Sequence, residues 1–342
     1  MLVGGAANYL PVLVGSGDGT FQAPPSYAAG GGPQSVALAD FNGDGVADIV
    51  TANATSNDVS VLLGSGGSKF PATIASGVGP GASSLPPSPV DLAVADFNAD
   101  GKPDVAVADE QSNDVSILIG KGDGSFQAGV HYLVGVDPNS LVAADFNGDG
   151  KLNLAVLNSG SFAADFTDSG VSILLGNGNG TFQTAKNYRA RLNPTAMAVG
   201  DVNGDGKLNV IIATQAPDFS YIVLVLLAGD GGFRTPATQP TDYGARAISI
   251  ADLKLDGKPD LVVAHCCGTT DMIYFLGNGD GTFQPEVHFP GGDSSTAVVV
   301  ADLSHDGRPD AVITAGGSGG IGVSSVAIIL KRLHCRDWRM SR

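Results

Sequence analysis

Asp40-Phe41-Asn42-Gly43-Asp44-Gly45-Val46-Ala47-Asp48 is the stretch on which the reading of this chain turns. It sets oxygen-bearing side chains at positions one, three, five and nine, with a Gly at position six. The pattern D-x-N-x-D-G-x-x-D returns at Asp96, Asn98, Asp100, Gly101 and Asp104. A third copy reads Asp145, Asn147, Asp149, Gly150 and Asn153, and a fourth Asp201, Asn203, Asp205, Gly206 and Asn209. The fifth carries Asp252, Lys254, Asp256, Gly257 and Asp260, and the sixth Asp302, Ser304, Asp306, Gly307 and Asp310. First positions lie 56, 49, 56, 51 and 50 residues apart. That is the length of a four-stranded propeller blade.

Each copy has the same surroundings. A small-residue apolar strand precedes it, as at Ser35 to Ala39, and a second apolar strand follows, as at Ile49 to Ala52. A third strand comes next, as at Val115 to Ile119. It leads into a Gly-rich turn and a Phe, as in Gly176-Asn177-Gly178-Asn179-Gly180-Thr181-Phe182. Gly and Asn supply the positive φ angles of tight hairpins. The recurring Phe (Phe21, Phe70, Phe126, Phe182, Phe233, Phe283) is expected between blades.

Short strands bounded by Gly, Asn, Asp and Pro, without helical periodicity, make the chain all-β. The expected fold is a β-propeller of four-stranded blades. An extra hairpin, Leu13 to Phe21, precedes the first loop, and the last repeat stops after its third strand. Residues 1–330 are therefore expected to form one six-bladed domain, with the N-terminal strand as outer strand of the last blade. Both ends offer a third strand, so the alternative is seven blades, one of them partial. The basic tail, residues 331–342, is unlike the repeats and is expected to be disordered.

Composition removes several function classes. Of 342 residues 43% are hydrophobic and 15% charged, too apolar for a disordered chain. No apolar run is long enough to span a membrane. A net charge of −16 leaves no basic face for nucleic-acid phosphates. Cys266, Cys267 and Cys335 make no disulfide framework. Met1 to Asn8 shows no basic segment followed by an apolar one, so no signal peptide is expected in this chain.

The loops have the chemistry of a calcium site. Ca2+ takes six to eight hard oxygen ligands, which closely spaced carboxylates turning at a Gly provide. Positions one, three, five and nine offer side-chain oxygens, and position seven a backbone carbonyl. An EF-hand is excluded, because Thr51 stands where the twelfth-position Glu belongs and strands flank the loop. Six Ca2+ would move the formal charge from −16 to −4 and relieve the repulsion among sixteen loop aspartates.

As a set, these loops resemble the FG-GAP repeats of integrin α-subunit propellers and the related bacterial VCBS-type repeats, over residues 9 to 330. The resemblance implies calcium ligands, copy by copy, at the aspartates and asparagines named above, and an extracellular or cell-surface scaffold. It implies no single activity, since such repeats occur in adhesion modules, lectins and some polysaccharide lyases. Two positions depart from the pattern. Lys254 removes a ligand from the fifth loop, and Ser304 is a weaker donor in the sixth. Up to six ions are expected, the fifth loop binding most weakly.

Strand alternation puts the calcium loops and Gly-rich hairpins on one face. Loops joining strands two and three, and those joining blades, share the other, where length varies most and binding is expected. Insertions at Gly77 to Pro89, Asn158 to Gly170 and Thr214 to Tyr221 bring Phe162, Phe166, Phe219 and Tyr221, with Asp165, Asp168 and Asp218. Aromatics beside carboxylates suit a sugar, so the expected partner is a glycan or protein ligand on this face. The five His are dispersed and no catalytic residue is assigned. The expected function is a lectin-like or adhesion module. A lyase on the same scaffold and a purely structural repeat are the alternatives.

Overall fold

The computed structural model describes residues 8–12, 14, 22, 25–67, 69–83, 85–161, 168–190, 192–216, 218, 220–229, 232–234, 237–242, 244–265, 271–290, 295–302, 305–316 and 324–329. Strands dominate these residues and no helix occurs among them. In particular, no helix there is long and apolar enough to cross a membrane.

Repeat one is a four-stranded antiparallel sheet of Pro33–Ala39, Asp48–Asn53, Asp58–Leu63 and Ala72–Gly77, in that order. Repeat two follows with Pro89–Ala95, Asp104–Asp109, Asp114–Leu118 and Val130–Leu133. Repeat three has Pro138–Ala144, Asn153–Asn158, Gly170–Leu174 and Lys186–Arg189. Repeat four is Leu192–Gly200, Asn209–Gln215, Tyr221–Leu226 and Ala237–Thr241. Repeat five is Ala245–Ala251, Asp260–His265, Asp271–Phe275 and Val287–Pro290. Repeat six shows three strands, Ser295–Ala301, Asp310–Gly316 and Ser324–Ile329. These sequential meanders, repeated six times, are the blades of a β-propeller. In every repeat the first strand starts with a register shift against the second, as between Pro33 and Ser35 or Pro89 and Asp91.

The chain divides into two compact units, the first holding repeats one to three and the second repeats four to six. Within each, the core lies between consecutive sheets. Val50, Val61, Leu92, Val107 and Phe126 join repeats one and two. Ile117, Leu141, Val156 and Leu174 join two and three. In the second unit Ile211, Val225, Ile248, Leu261 and Ile273 join repeats four and five. Met272, Val298 and Ile313 extend the stack to repeat six. Second strands are covered on both faces, which is why they are continuous apolar runs rather than alternating ones: Asp48–Asn53 and Asp104–Asp109 are buried throughout.

The N-terminal segment supplies its own pair, Tyr9–Pro11 with Ser26–Ala28. Leu10 is buried against Ile49 and Leu62 of repeat one. The pair thus stacks on the first sheet as a third and fourth strand would. The hairpin residues Leu13 and Gly15 to Phe21, and the tail 331–342, lie outside the described residues.

Candidate metal loops and the opposite face

Each Asp loop is built by its own hydrogen bonds. The position-one carboxylate accepts the amide of the position-six Gly in all six copies. Oδ2 of Asp40, Asp96, Asp145, Asp201, Asp252 and Asp302 lies 2.7–2.9 Å from that nitrogen. Oδ1 of the position-five Asp accepts the position-seven amide: Val46, Lys102, Lys151, Lys207, Lys258 and Arg308 donate to Asp44, Asp100, Asp149, Asp205, Asp256 and Asp306 at 2.8–3.1 Å. These bonds require backbone that L side chains resist. The position-six glycines have φ of 80–81°, and a Cβ there would meet nothing within 4 Å, so the demand is conformational and not spatial.

Position four is left-handed too, at Gly43, Ala99, Gly148, Gly204, Leu255 and His305, three of which are not Gly. The sequence pattern leaves this position unspecified, and the requirement is invisible without the backbone.

Position nine anchors the loop to the sheet. Asp48, Asp104 and Asp260 are fully buried. Each accepts two amides, from the residue after position one and from the first hairpin Gly. Asp48 takes Phe41 at 2.8 Å and Gly64 at 2.7 Å; Asp104 takes Phe97 and Gly120; Asp260 takes Leu253 and Gly277. Asn209 accepts only the Val202 amide through Oδ1, at 2.9 Å, and Asn153 donates to the Lys151 carbonyl. Asp310 is buried as well.

Position three is occupied by Asn42, Asn98, Asn147, Asn203 and Lys254 among the described residues, while Ser304 lies outside them. Asn42 and Asn203 donate to Oδ2 of Asp44 and Asp205 at 3.0 Å. Lys254 takes the same partner in its loop, its Nζ lying 2.9 Å from Asp256 Oδ2. That ammonium holds the Asp256 carboxyl below its usual range. The Gly45 amide does likewise for Asp40, whereas burial pushes Asp104 and Asp260 up.

The loops also reach the next repeat. The position-two carbonyls of Phe41, Phe97 and Val202 accept the amides of Gly124, Gly180 and Gly281 in the following hairpin, at 2.9–3.2 Å. Phe41 packs edge-on against Phe126, and Phe97 against Phe182. Conformation at an Asp loop is thereby coupled to blade stacking.

Of the aromatics expected on the opposite face, Phe162, Phe166 and Phe219 lie outside the described residues. Tyr221 is half-buried, and its ring lies close against Gly244. Asp168 accepts the Ser161 amide and Asp218 the Ser220 amide and hydroxyl, closing their own turns. The Gly77 to Pro89 insertion folds over repeat two, where Ala82 donates its amide to Asp114 and Gly79 lies against the His131 ring.

Beneath that loop sits a group the sequence did not single out. Asp109, Asp114 and His131 offer ligand atoms within 4.8 Å of one another. Strand pairing sets Asp109 opposite Asp114 and Ser116 opposite His131. Burial pushes the Asp109 carboxyl up to about 8. Asp114 is held below its usual range because its hydrogen bonds, led by His131, outweigh burial, and His131 is raised in turn. A second group joins Asp242, in the connection from repeat four to repeat five, with Glu286 and His288 of repeat five in more open surroundings.

Six Asp loops of one hydrogen-bond scheme, each between the first two strands of an antiparallel sheet that has four strands in repeats one to five, define a repeat β-propeller. The chain belongs to the FG-GAP-like repeat family, whose pattern matches residues 1–51, 40–107, 96–156, 161–212, 201–263 and 252–313. No curated protein matches the sequence. Among solved structures it is similar to an Agrocybe aegerita lectin described for specific recognition of non-reducing terminal N-acetylglucosamine. Identity there is 22% over 89% of this chain and 85% of the lectin, with a TM-score of 0.54. A functionally unknown protein from Desulfotomaculum acetoxidans gives 0.55 at 14% identity, covering 84% of each chain. The V. cholerae biofilm matrix protein Bap1 gives 0.50 at 12% identity, over 90% of this chain and 72% of that one. At these identities the likeness is one of fold.

Proposed function

We propose that this chain is a calcium-stiffened, extracellular binding module that takes a glycan or protein ligand on the face opposite its Asp loops. One observation carries the reading: the loop scheme is repeated six times, while the connections between second and third strands vary in length, as from Asn53 to Asp58 against Asn158 to Gly170. Repetition suits a scaffold function and irregularity suits recognition. Bound Ca2+ would clamp oxygens at positions one, three and five and the position-seven carbonyl. At Asp48, Asp104 and Asp260, position nine would add its remaining lone pairs while keeping its two amides. Through Phe41 and its counterparts, the ion would stiffen the contact with the next blade.

The lectin relationship makes glycans ending in N-acetylglucosamine sensible first probes. The Ca2+-loaded protein would be screened against a glycan array. Any hit would be re-tested with Phe162, Phe166, Phe219 and Tyr221 all changed to Ala. Loss of binding with an unchanged melting temperature is expected. Undiminished affinity in that variant, or no hit on any glycan, would count against the glycan reading and leave a protein ligand to be sought.

A further inference from the structure

Repeat two differs from its neighbours at one interior position. In repeat one, Asn53 ends the second strand and its amide donates to Asp58 at 2.8 Å and to Ser60 Oγ at 3.0 Å. In repeat three, Asn158 donates to Ser172 Oγ at 2.9 Å. The same place in repeat two is Asp109, 56 residues after Asn53, facing Asp114 and Ser116 at the same offset from Asp58 and Ser60. A donor has become an acceptor, and the acceptors around it have stayed.

The result is a buried cluster in which two acids face one imidazole. Asp109, Asp114 and Ser116 are fully buried. Ser116 donates to Asp109 Oδ2, but Asp109 Oδ1 has no hydrogen-bond partner. Among the described residues no Lys or Arg pairs with either carboxylate, and the facing base is His131. His131 Nδ1 stands 3.5 Å from Asp114 Oδ2 and 3.1 Å from Ser116 Oγ. Ligand bonds of about 2.1 Å give ligand–ligand edges of roughly 3.0–3.4 Å, close to the His131–Asp114 separation, and the Asp109 carboxylate lies within 4.8 Å of both.

We propose that Asp109, Asp114 and His131 form a site for one first-row divalent cation of the zinc or manganese class, with Ser116 orienting the ligands. Two carboxylates and an imidazole suit such an ion, and the imidazole disfavours Ca2+, which takes oxygen alone. Charge balance agrees, since a dication neutralises two buried carboxylates beside a neutral ring. The amide from Ala82 and the Ser112 hydroxyl, 2.8 Å from Asp114 Oδ1, fix the second carboxylate as outer-shell partners do. The site is distinct from the Asp loops, lying at the other end of the strands.

The test uses the full chain saturated with Ca2+, so that the Asp loops are not in competition. Zn2+ is added and its retention after dialysis is measured by atomic emission. Asp109→Asn, which restores the side chain of repeats one and three, and His131→Gln are compared with the parent. The parent is expected to retain one more zinc equivalent than either variant. Equal zinc in the parent and either variant, or none in the parent, would overturn the assignment. Because Asn is already accommodated at this position in two repeats, Asp109→Asn is expected to fold, as its circular dichroism would report.

Discussion

The Ser35 hydroxyl donates to Asp91 Oδ1 at 2.7 Å, joining two blades at residues 56 apart in sequence. Asp91 Oδ2 accepts the Leu141 amide at 3.0 Å, and the Ser140 hydroxyl hydrogen-bonds the same carboxyl. Ser35, Asp91 and Ser140 each stand five residues before the Asp that opens their loop. One carboxyl therefore clamps the first strands of three consecutive repeats.

Asp91→Ala would leave a hydroxyl and an amide without their acceptor, a loss of about 1–3 kcal/mol. Burial raises the Asp91 carboxyl above its ordinary value of 3.8. The neutral acid thus contributes stability that is complete below that value and is lost as pH rises through the raised one. Urea midpoints of the parent and Asp91→Asn, compared from pH 4 to 7, should show the parent losing ground as pH increases. Parallel curves would mean that Asp91 titrates normally.

Backbone strain at position four gives a second expectation. Leu255 and Ala99 adopt φ of 56° and 59°, which costs an L residue roughly 1–2 kcal/mol. Leu255→Gly and Ala99→Gly should raise the melting temperature, whereas Gly45→Ala, at φ 81°, should lower it. Opposite signs at positions four and six would confirm that conformation, not space, selects these residues. A stabilising Gly45→Ala would contradict it.

The third expectation concerns the fifth loop. Lys254 already holds Asp256 Oδ2 at 2.9 Å, and an ammonium donates without coordinating a cation. That loop is expected to bind Ca2+ most weakly or not at all. Calorimetric titration of Lys254→Asn should therefore show one more tight Ca2+ site than the parent. Identical stoichiometry and affinity would mean that Lys254 swings aside and the loop fills normally.

Much of this was legible in the sequence because the Asp loops and hairpins are set by local backbone. Gly45 and its counterparts are required wherever the loop occurs, so spacing alone located the blades. What escaped depends on contacts between strands. Asp109 and His131 are 22 residues apart and meet only once repeat two has folded. The signal was present as a substitution of Asn53 by Asp109 at the repeat offset. The Gly77 to Pro89 insertion suggested a ligand loop, yet its backbone covers that cluster. Left-handed φ at position four was hidden because Ala99, Leu255 and His305 occupy it in three copies.

Calcium dependence of the melting temperature tests whether the Asp loops are metal sites. A ligand bound only by the folded chain at a hundredfold excess over Kd adds about 2.7 kcal/mol per site. In a chain of 342 residues one such site shifts the midpoint by about 4 °C. Melting would be followed with excess Ca2+ and with chelator, in the parent and in Asp40→Asn. A large rise with Ca2+, reduced in the variant, is expected. Coincident midpoints with Ca2+ and with chelator would contradict the reading of these loops as calcium sites.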